Sequence, residues 1–239
     1  MVDSKQYALT ANYWDNFSAA TKDNTEAVFT VNHITGAQPI QGNELNVWFS
    51  PRALTGYGFF YPTQDLVDNF ESGDPRLDYT VGRQGHPYFD RDFDASWSTT
   101  GYITKKMVQP LSEVPIGKKN DGSVNYEAIR YADVLLILAE ALNESGNSVG
   151  ALAPLDSVRA RVMVPAVTTT NQGQLRDAIR KERRSELAME FHRFFDVIRY
   201  GSDYATSVLS KGAPNFNYEK NKWFPIPQSE RDTNKKLGK

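Results

Sequence analysis

Acidic side chains occupy helical positions at which apolar side chains are expected, and this feature constrains the fold of the chain most. Asp133 and Glu140 share a stripe with Ile129 and Leu136, in steps of four, three and four residues. Residues spaced in this way lie on one face of an α-helix, and an apolar face normally packs against the rest of the protein. We therefore expect both carboxylates to be at least partly buried.

The same arrangement recurs further along the chain. Glu182 and Glu186 continue the stripe of Leu175 and Ile179 with the same steps. These two acids should also point inward, because the rest of their stripe is apolar. A fold that buries four carboxylates must provide a partner for each of them, because an unpaired buried charge is very costly.

Arginine side chains are the expected partners of these acids. The planar guanidinium group has five donors and can bind a carboxylate through two parallel hydrogen bonds. A pair of catalytic carboxylates is the alternative, but such a pair needs one acid in a cleft rather than several nearby arginines. With Arg161 as a further candidate, the sequence predicts a structural ion network of Arg130, Asp133, Glu140, Arg159, Glu182, Arg183, Arg184 and Glu186.

The chain changes character near residue 123. Residues 1–125 are rich in loops, aromatic residues, glycine and proline, whereas residues 126–239 are charged and helical. Apolar spacing predicts helices over Tyr126–Glu144, part of Ser148–Val162, and Asn171–Tyr200. In the second of these helices, Pro154 must either lie in the first turn or kink the helix. The third pattern suits either one helix or two consecutive helices. We expect a mainly α-helical fold with long irregular loops and a few short strands.

Composition excludes several classes of function. The 27 basic and 29 acidic residues give a net charge of −2, which is not the basic balance of a nucleic-acid-binding protein. The chain has no cysteine, which excludes disulfides, thiolate catalysis and cysteine metal ligands. The longest apolar run, Val134–Ala139, is far shorter than the roughly 20 residues that cross a bilayer. We therefore expect neither a nucleic-acid partner nor a membrane span.

Seven segments resemble, in the same order, the signature of the SusD/RagB family. Each segment alone is a weak signal, but their shared order extends over nearly the whole chain. They are Pro62–Leu66, Asp74–Arg76, Tyr126–Glu144, Val158–Arg161, Glu182–Glu190, Arg193–Asp196 and Phe224–Glu230.

The resemblance implies a function and a location. It identifies residues 1–239 as a SusD-like C-terminal domain, with a loop-rich part (1–125) and a helical part (126–239). Family members are roughly twice as long and begin with a signal, a lipid-anchoring cysteine and tetratricopeptide-like helix pairs, a half that we expect to be missing here. The parent protein would face outward on the cell outer membrane, attached only by its lipid anchor. There it would bind glycans and deliver them to a TonB-dependent transporter, without catalysis and without a cofactor.

Two aromatic loops are the candidate ligand sites. A sugar presents apolar C–H faces and a rim of hydroxyl groups, so its site needs aromatic planes beside amide, carboxylate or guanidinium groups. Residues 43–61 and 86–102 offer this combination. Aromatic rings of long loops more often fill the core beneath them, which is the structural alternative for each ring. The predicted ligand contacts are Trp48, Trp97, Tyr57, Tyr88, Asn46, Arg52 and Asp92.

Two other functions stay open from the residues alone. A glycoside hydrolase would need two carboxylates about 5–5.5 Å or 6.5–9.5 Å apart across a cleft, and the loop acids to consider are Asp65, Asp90, Asp92 and Asp94. A peptide- or protein-binding module would also use exposed aromatic loops. We assign no catalytic residue.

No metal site is expected either. The spacing of Asp90, Asp92 and Asp94 resembles a calcium loop, but Ala95 stands where the turn glycine is required and Gly101 where the bidentate glutamate is required. The three histidines show no ligand spacing.

Overall fold

The structure of the protein is a computed structural model that describes residues 2–114, 118–234 and 236. Within these residues the strands are short and the helices dominate the second half. The strands are β1 (Ala27–Val31), β2 (Val81–Gly82), β3 (Ile103–Thr104) and β4 (Tyr126–Arg130). The helices are α1 (Leu45–Phe49), α2 (Gln64–Val67), α3 (Arg76–Thr80), α4 (Tyr131–Glu144), α5 (Ser148–Arg161), α6 (Gln172–Glu186), α7 (Arg193–Arg199), α8 (Ser202–Leu209), α9 (Tyr218–Asn221) and α10 (Gln228–Thr233). The predicted fold class, mainly helical with long loops, is confirmed.

The first predicted helix begins five residues later than expected. Tyr126–Arg130 forms strand β4, which pairs antiparallel with β1, and the helix starts only at Tyr131. Ile129 is therefore exposed on a strand and does not share the stripe of Asp133, so that part of the prediction is wrong. The ladder hydrogen bonds to β1 satisfy backbone groups that a longer helix would have used, which explains the difference.

Helices α4, α5 and α6 pack on one another through a small apolar core. Two asparagines begin α5 and α6, because Asn147 accepts a hydrogen bond from the N–H of Gly150 and Asn171 accepts one from the N–H of Gln174. Gly146 ends α4 with a φ of +89°, a backbone conformation that favours glycine. The buried residues of this core are Ala132, Leu135, Leu136, Ala139, Ala151, Leu155, Val158, Leu175 and Ile179.

Pro154 lies in the interior of α5, beyond the first turn. The alternative that placed it in the first turn is therefore wrong. Pro154 has no N–H to donate to Gly150, the residue four positions earlier, and α5 nevertheless continues to Arg161. Because Pro154 is buried, apolar burial compensates for part of the lost hydrogen bond.

A second core lies beneath the long loops of the first half and is largely aromatic. It joins the turn at residues 13–17 to the loops around β2 and β3. Its largest buried members are Tyr13, Phe17, Phe49, Tyr88, Phe93, Ile103 and Met107.

The last predicted helical pattern forms two helices. Helix α6 ends at Glu186, the chain turns through residues 187–192, and α7 begins at Arg193. The contacts divide the chain into two units, residues 1–191 and residues 192–239. The second unit contains α7 to α10.

No helix in the described part of the chain combines the length and the apolar character that a membrane span requires.

Candidate functional site

A cluster of buried acids and bases lies at the centre of the first unit, and we call it the buried ion cluster. Its middle is Glu186, which is fully buried at the end of α6. Oε1 of Glu186 accepts a hydrogen bond from Nη1 of Arg130 at 2.6 Å and a second one from Arg161. Oε2 accepts a hydrogen bond from Nη1 of Arg76 at 3.0 Å. Three guanidinium groups thus share one carboxylate.

Arg130 connects the cluster to two other parts of the chain. Its Nη1 donates to Glu26 at 2.7 Å, and its Nε donates to Oε2 of Glu190 at 2.7 Å. Lys106 is fully buried as well and donates to Oε1 of Glu190 at 2.7 Å. The cluster therefore joins the residue before β1, the end of β4 and the turn after α6.

The outer members of the cluster extend it to helices α3 and α5. Arg76 donates to Asp74 at 2.7 Å and also to Glu182. Glu182 accepts a second hydrogen bond, at 2.6 Å, from Arg159. Arg159 also donates to Glu71 at 3.0 Å. The paired groups are almost fully buried except Glu71, so solvent screens these interactions little.

The arginines determine the charge state of Glu186. Burial alone would raise the pKa of this carboxyl group, but Arg161, Arg130 and Arg76 outweigh burial and hold its pKa well below the ordinary value. Glu190 has a lowered pKa for the same reason, since Arg130 and Lys106 outweigh its burial. Carboxylates that stay ionised at all working pH values are poor proton donors, whereas they suit a structural role.

The structure places the predicted network residues as follows. Arg130, Arg159, Glu182 and Glu186 meet in the buried ion cluster, and Asp133 pairs with Arg183 on neighbouring faces of α4 and α6. Glu140 is half-buried.

The prediction that Arg184 belongs to the structural ion network is wrong. Arg184 lies outside the buried ion cluster, because it pairs with Asp65 at the surface.

About half of the cluster was missed from the sequence. The missed members are Glu26, Glu71, Asp74, Arg76, Lys106 and Glu190. They lie in loops or short elements, where no periodic pattern marks a residue as buried. Two features of the sequence could have pointed to missed members: the segment Asp74–Arg76, which resembles the family signature, and Glu26, the acid immediately before β1.

A surface of exposed aromatic rings lies on residues 45–60. Helix α1 presents Trp48, and the chain then folds back on the helix. This return is held by hydrogen bonds from the N–H of Tyr57 to the carbonyl of Val47 at 2.8 Å and from the N–H of Phe59 to the carbonyl of Trp48 at 2.8 Å. The rings of Trp48, Tyr57, Phe59 and Phe60 are 37%, 49%, 44% and 57% exposed, and together we call them the aromatic surface.

Phe60 has an unfavourable backbone conformation for a bulky residue. Its φ is +57°, a value that glycine adopts at little cost and that strains a phenylalanine. Its ring contacts Phe49, Phe59 and Phe191, with centroid distances of 5.6, 6.1 and 6.3 Å, yet more than half of the residue's surface stays in solvent. Backbone preference does not account for this residue, and packing on the buried Phe49 covers only part of its ring.

Arg52 adds a polar group beside the rings. Its Nε donates a hydrogen bond to the carbonyl of Tyr57 at 3.1 Å, and the side chain is exposed. A guanidinium group at this position leaves further N–H donors next to an aromatic plane.

The pattern that defines the SusD family matches residues 25–239. The chain belongs to the SusD family. This finding confirms the resemblance seen in the sequence. SusD-like protein P2 of Formosa agariphila is 34% identical over 128 residues, which cover 49% of this chain and 25% of that protein.

Solved structures of SusD-like proteins share the fold. A SusD-like carbohydrate-binding protein of Bacteroides fragilis has a TM-score of 0.78 at 24% identity, covering 97% of this chain and 58% of that one. Surface glycan-binding protein A of Bacteroides thetaiotaomicron, in complex with laminarihexaose, has a TM-score of 0.77 at 22% identity, covering 97% and 55%. The chain thus spans little more than half the length of these structures. At such identities the likeness establishes the fold alone.

Two predicted ligand contacts of this SusD-family chain are corrected by the structure. Tyr88 is only 2% exposed and donates a hydrogen bond to the carbonyl of Thr104 at 3.3 Å. Asn46 is buried, donates to the carbonyl of Lys119 at 2.9 Å and accepts from the N–H of Gln109 at 2.9 Å. Both side chains organise the loops from beneath, so neither reaches a ligand at the surface.

The remaining predicted contacts lie on two separate loops. Trp48, Tyr57 and Arg52 are together on residues 45–60, whereas Trp97 and Asp92 are on the second loop. Trp97 is half-buried and packs edge-on against Tyr88 and Phe93, with centroid distances of 5.7 and 5.5 Å.

A further aromatic cluster, in the second unit, was missed as a candidate. Trp223 and Phe224 are 74% and 70% exposed. The ring of Phe224 contacts that of Phe194 at 5.4 Å, and a cleft of about 480 Å³ lies between these residues and Arg199.

No group of three or more histidine or acidic side chains in the described ranges is arranged to hold a metal ion.

Proposed function

We propose that the aromatic surface binds a glycan without catalysis. The observation that carries the proposal is Phe60, an exposed ring held in a strained backbone conformation among three other exposed rings. Strained residues concentrate at ligand sites, where the surrounding structure holds them in place. Monomeric proteins also rarely display contiguous apolar patches without using them for recognition.

The chemistry of this surface suits a sugar chain. The exposed rings offer planes for the C–H faces of successive sugar residues, and Arg52 offers donors for hydroxyl groups. We propose Trp48, Tyr57, Phe59, Phe60 and Arg52 as the contact residues. Trp97 and Asp92 stay proposed as contacts of the second loop.

The buried ion cluster is proposed as the scaffold that positions these loops, not as a catalytic centre. Each carboxylate oxygen of Glu186 is occupied by a guanidinium group, so the acid has neither a proton nor a free oxygen to offer a substrate. Two of the four loop acids are also engaged. Asp94 accepts hydrogen bonds from Ser96, which lower its pKa, and Asp65 pairs with Arg184. This favours a binding protein over a glycoside hydrolase.

The relatives support the same function. One structure that shares the fold is a SusD-like carbohydrate-binding protein, and another is a surface glycan-binding protein in complex with laminarihexaose. By extension we propose that the parent protein is anchored by a lipid to the outer face of the outer membrane. There it would pass the glycan to a TonB-dependent transporter.

Calorimetric titration with a panel of oligosaccharides, including laminarihexaose, tests the proposal. We expect at least one glycan to bind, and Trp48→Ala and Tyr57→Ala each to weaken it at least about tenfold, as truncation of an aromatic anchor does. Phe29→Ala is the matched control, because Phe29 is an exposed ring on β1 outside the aromatic surface. Unchanged affinity in both loop variants would contradict the site.

The same panel tests the hydrolase alternative. Incubation of each bound oligosaccharide with the protein should release no new reducing ends above a control without protein. Release that disappears on substitution of Asp90 or Asp92 would show catalysis and overturn the proposal.

A further inference from the structure

A small cleft outside the aromatic surface is lined by three rings and one amine. Its lining residues are Trp14, Tyr79, Phe89 and Lys105. The ladder of β2 and β3 places two of them, because Tyr79 precedes β2, Lys105 follows β3, and the N–H of Lys105 donates to the carbonyl of Thr80 at 2.8 Å. Trp14 comes from the turn at residues 13–17, which Asn12 caps through its side chain.

The size and walls of the cleft fit one six-membered ring. Its volume is about 180 Å³, and an engineered cavity of about 150 Å³ in another protein binds benzene. The rings of Trp14 and Tyr79 stack on each other, with 6.0 Å between their centroids and 19° between their planes, and Phe89 lies 5.9 Å from Trp14. No ring fits between Trp14 and Tyr79 at this separation, so a ligand ring with C–H faces would lie in the cleft against the stacked pair and Phe89.

Lys105 supplies a positive charge at this cleft. Its Nζ lies 5.4 Å from the centroid of Phe89 and donates one hydrogen bond, at 3.4 Å, to the carbonyl of Pro87. Within the described residues it forms no ion pair, because the nearby carboxylate of Asp78 pairs with Arg83 and His86 instead. Two of its three N–H donors stay available. Burial lowers the pKa of Lys105, so an anion beside it would restore the interactions that burial removes.

Phe89 forms one side of the cleft from a strained turn. The N–H of Tyr88 donates to the carbonyl of Arg91 at 2.9 Å, which makes residues 88–91 a tight turn with Phe89 at its corner. The φ of Phe89 is +57°, a conformation in which glycine or asparagine would be less strained. Packing of its ring against Tyr88, with a centroid distance of 4.9 Å, holds Phe89 at this corner, where the ring also lines the cleft.

From these contacts we propose that the cleft binds a sugar ring that carries an anionic group, a carboxylate or a sulfate ester. The ring lies against the three aromatic side chains that line the cleft, and the free donors of Lys105 bind the anion. The site is distinct from the aromatic surface, so it does not depend on the function proposed there.

Titration of the full chain with three matched monosaccharides tests this site. The probes are methyl glucuronide, glucose 6-sulfate and methyl glucoside. The readout is the NMR signal of the indole N–H of Trp14, which is assigned by its absence in the variant Trp14→Phe. We expect at least one anionic probe to shift this signal and to bind at least about tenfold more tightly than the neutral glucoside, because a hydrogen bond to a charged group is strong. The stronger of the two anionic probes identifies the source of the anion.

Variants separate the charge of the lysine from its packing. Lys105→Met keeps the apolar stem and should weaken the anionic probe about tenfold, to the level of the glucoside, while Lys105→Arg should retain most of the affinity. Lys181→Met removes an exposed lysine on α6 and should change nothing, and Trp48→Ala should also leave this binding unchanged. Equal affinity for charged and neutral probes, no binding of either anionic probe, or full affinity in Lys105→Met would each overturn the proposal.

Discussion

At the scale of single residues, Glu186 has the largest consequence for stability. Three arginines converge on its carboxylate, and each of them would lose a charged partner if the acid were removed. Breaking a buried ion pair by removing one partner is far more costly than losing the pair as a whole, because the remaining charge stays buried and uncompensated. Glu186 therefore stabilises the fold chiefly because it compensates the buried charges of the three arginines.

We expect Glu186→Ala to lower the free energy of unfolding by about 3–5 kcal/mol. Denaturant titration followed by circular dichroism measures this. The matched control is Glu144→Ala, which removes a surface partner of Arg176 and should cost at most about 1 kcal/mol. Equal, small effects of the two substitutions would show that the buried ion cluster is not the scaffold.

Glu127 is a buried acid whose pKa is raised, whereas the pKa of Glu186 is lowered. This side chain of β4 is buried, and neither of its carboxylate oxygens accepts a hydrogen bond from the described residues. Burial raises its pKa to about 8, although Arg130 opposes the shift. The folded protein then holds a proton that the unfolded chain, with a pKa of about 4.3, has already lost. Stability should therefore fall as the pH rises from about 4.3 towards 8.

The pH dependence of unfolding tests Glu127. We expect the wild type to lose about 2 kcal/mol more than Glu127→Gln between pH 5 and pH 7, because only the wild type must bury a charge or keep a proton there. Burial lowers the pKa values of Lys106 and Lys119 to about 8. The measurements are therefore made below pH 7.5, because the titration of these lysines contributes to the pH dependence of stability above that value. Parallel pH profiles for the two proteins would show that Glu127 titrates normally.

At the scale of elements, the segment at residues 45–60 depends on close backbone approach. Gly56 lies so near the carbonyl oxygen of Ser50 that an added Cβ would be 2.0 Å from it. The N–H of Gly56 also donates to the carbonyl of Pro51 at 3.0 Å. The return of the chain onto α1, and with it the position of Tyr57 and Phe59, requires a glycine at this point.

Gly56→Ala should displace this return and weaken glycan binding at least about tenfold, because the rings would no longer share one surface. Gly173→Ala is the matched control, since a Cβ there meets only the side chain of Asn171 at 3.5 Å and alanine favours the helix. Calorimetry measures the glycan affinity of both variants. Full affinity in Gly56→Ala would mean that the ligand does not depend on this loop geometry.

The elements also show what sequence patterns can and cannot predict. Helices α4 to α6 were predictable, because their apolar residues recur at helical spacing and their ends carry asparagine or glycine. Strand β4 was not, because residues 126–130 read as a continuation of the helix until their pairing with β1 is known. Long-range partners such as Arg76 and Glu26 leave no local pattern. Exposure of a loop ring is equally invisible, which is why Tyr88 and Trp48 looked alike in the sequence.

At the scale of the whole molecule, the buried ion cluster belongs entirely to the first unit. All of its acids and bases lie within residues 1–191, as do the two apolar cores. The second unit, residues 192–239, contributes its own aromatic cluster. Because each unit has its own internal contacts, we propose that the first folds without the second.

Residues 1–191 expressed alone should unfold in a single cooperative transition and keep the glycan affinity of the full chain. The reason is that the scaffold and the aromatic surface are both complete within them. Thermal denaturation and calorimetry are the two readouts. A chain that lacks a cooperative transition would show that the second unit is required for the fold of the first.

Glycan binding by the aromatic surface is tested by the affinity of the double variant Trp48→Ala/Phe60→Gly, measured by calorimetry beside its melting temperature. Trp48 is a partly exposed ring, and glycine suits the backbone of residue 60, so the fold should lose little stability. We expect a loss of affinity of at least about thirtyfold with a nearly unchanged melting temperature. Retained affinity in a folded double variant would contradict glycan binding by the aromatic surface.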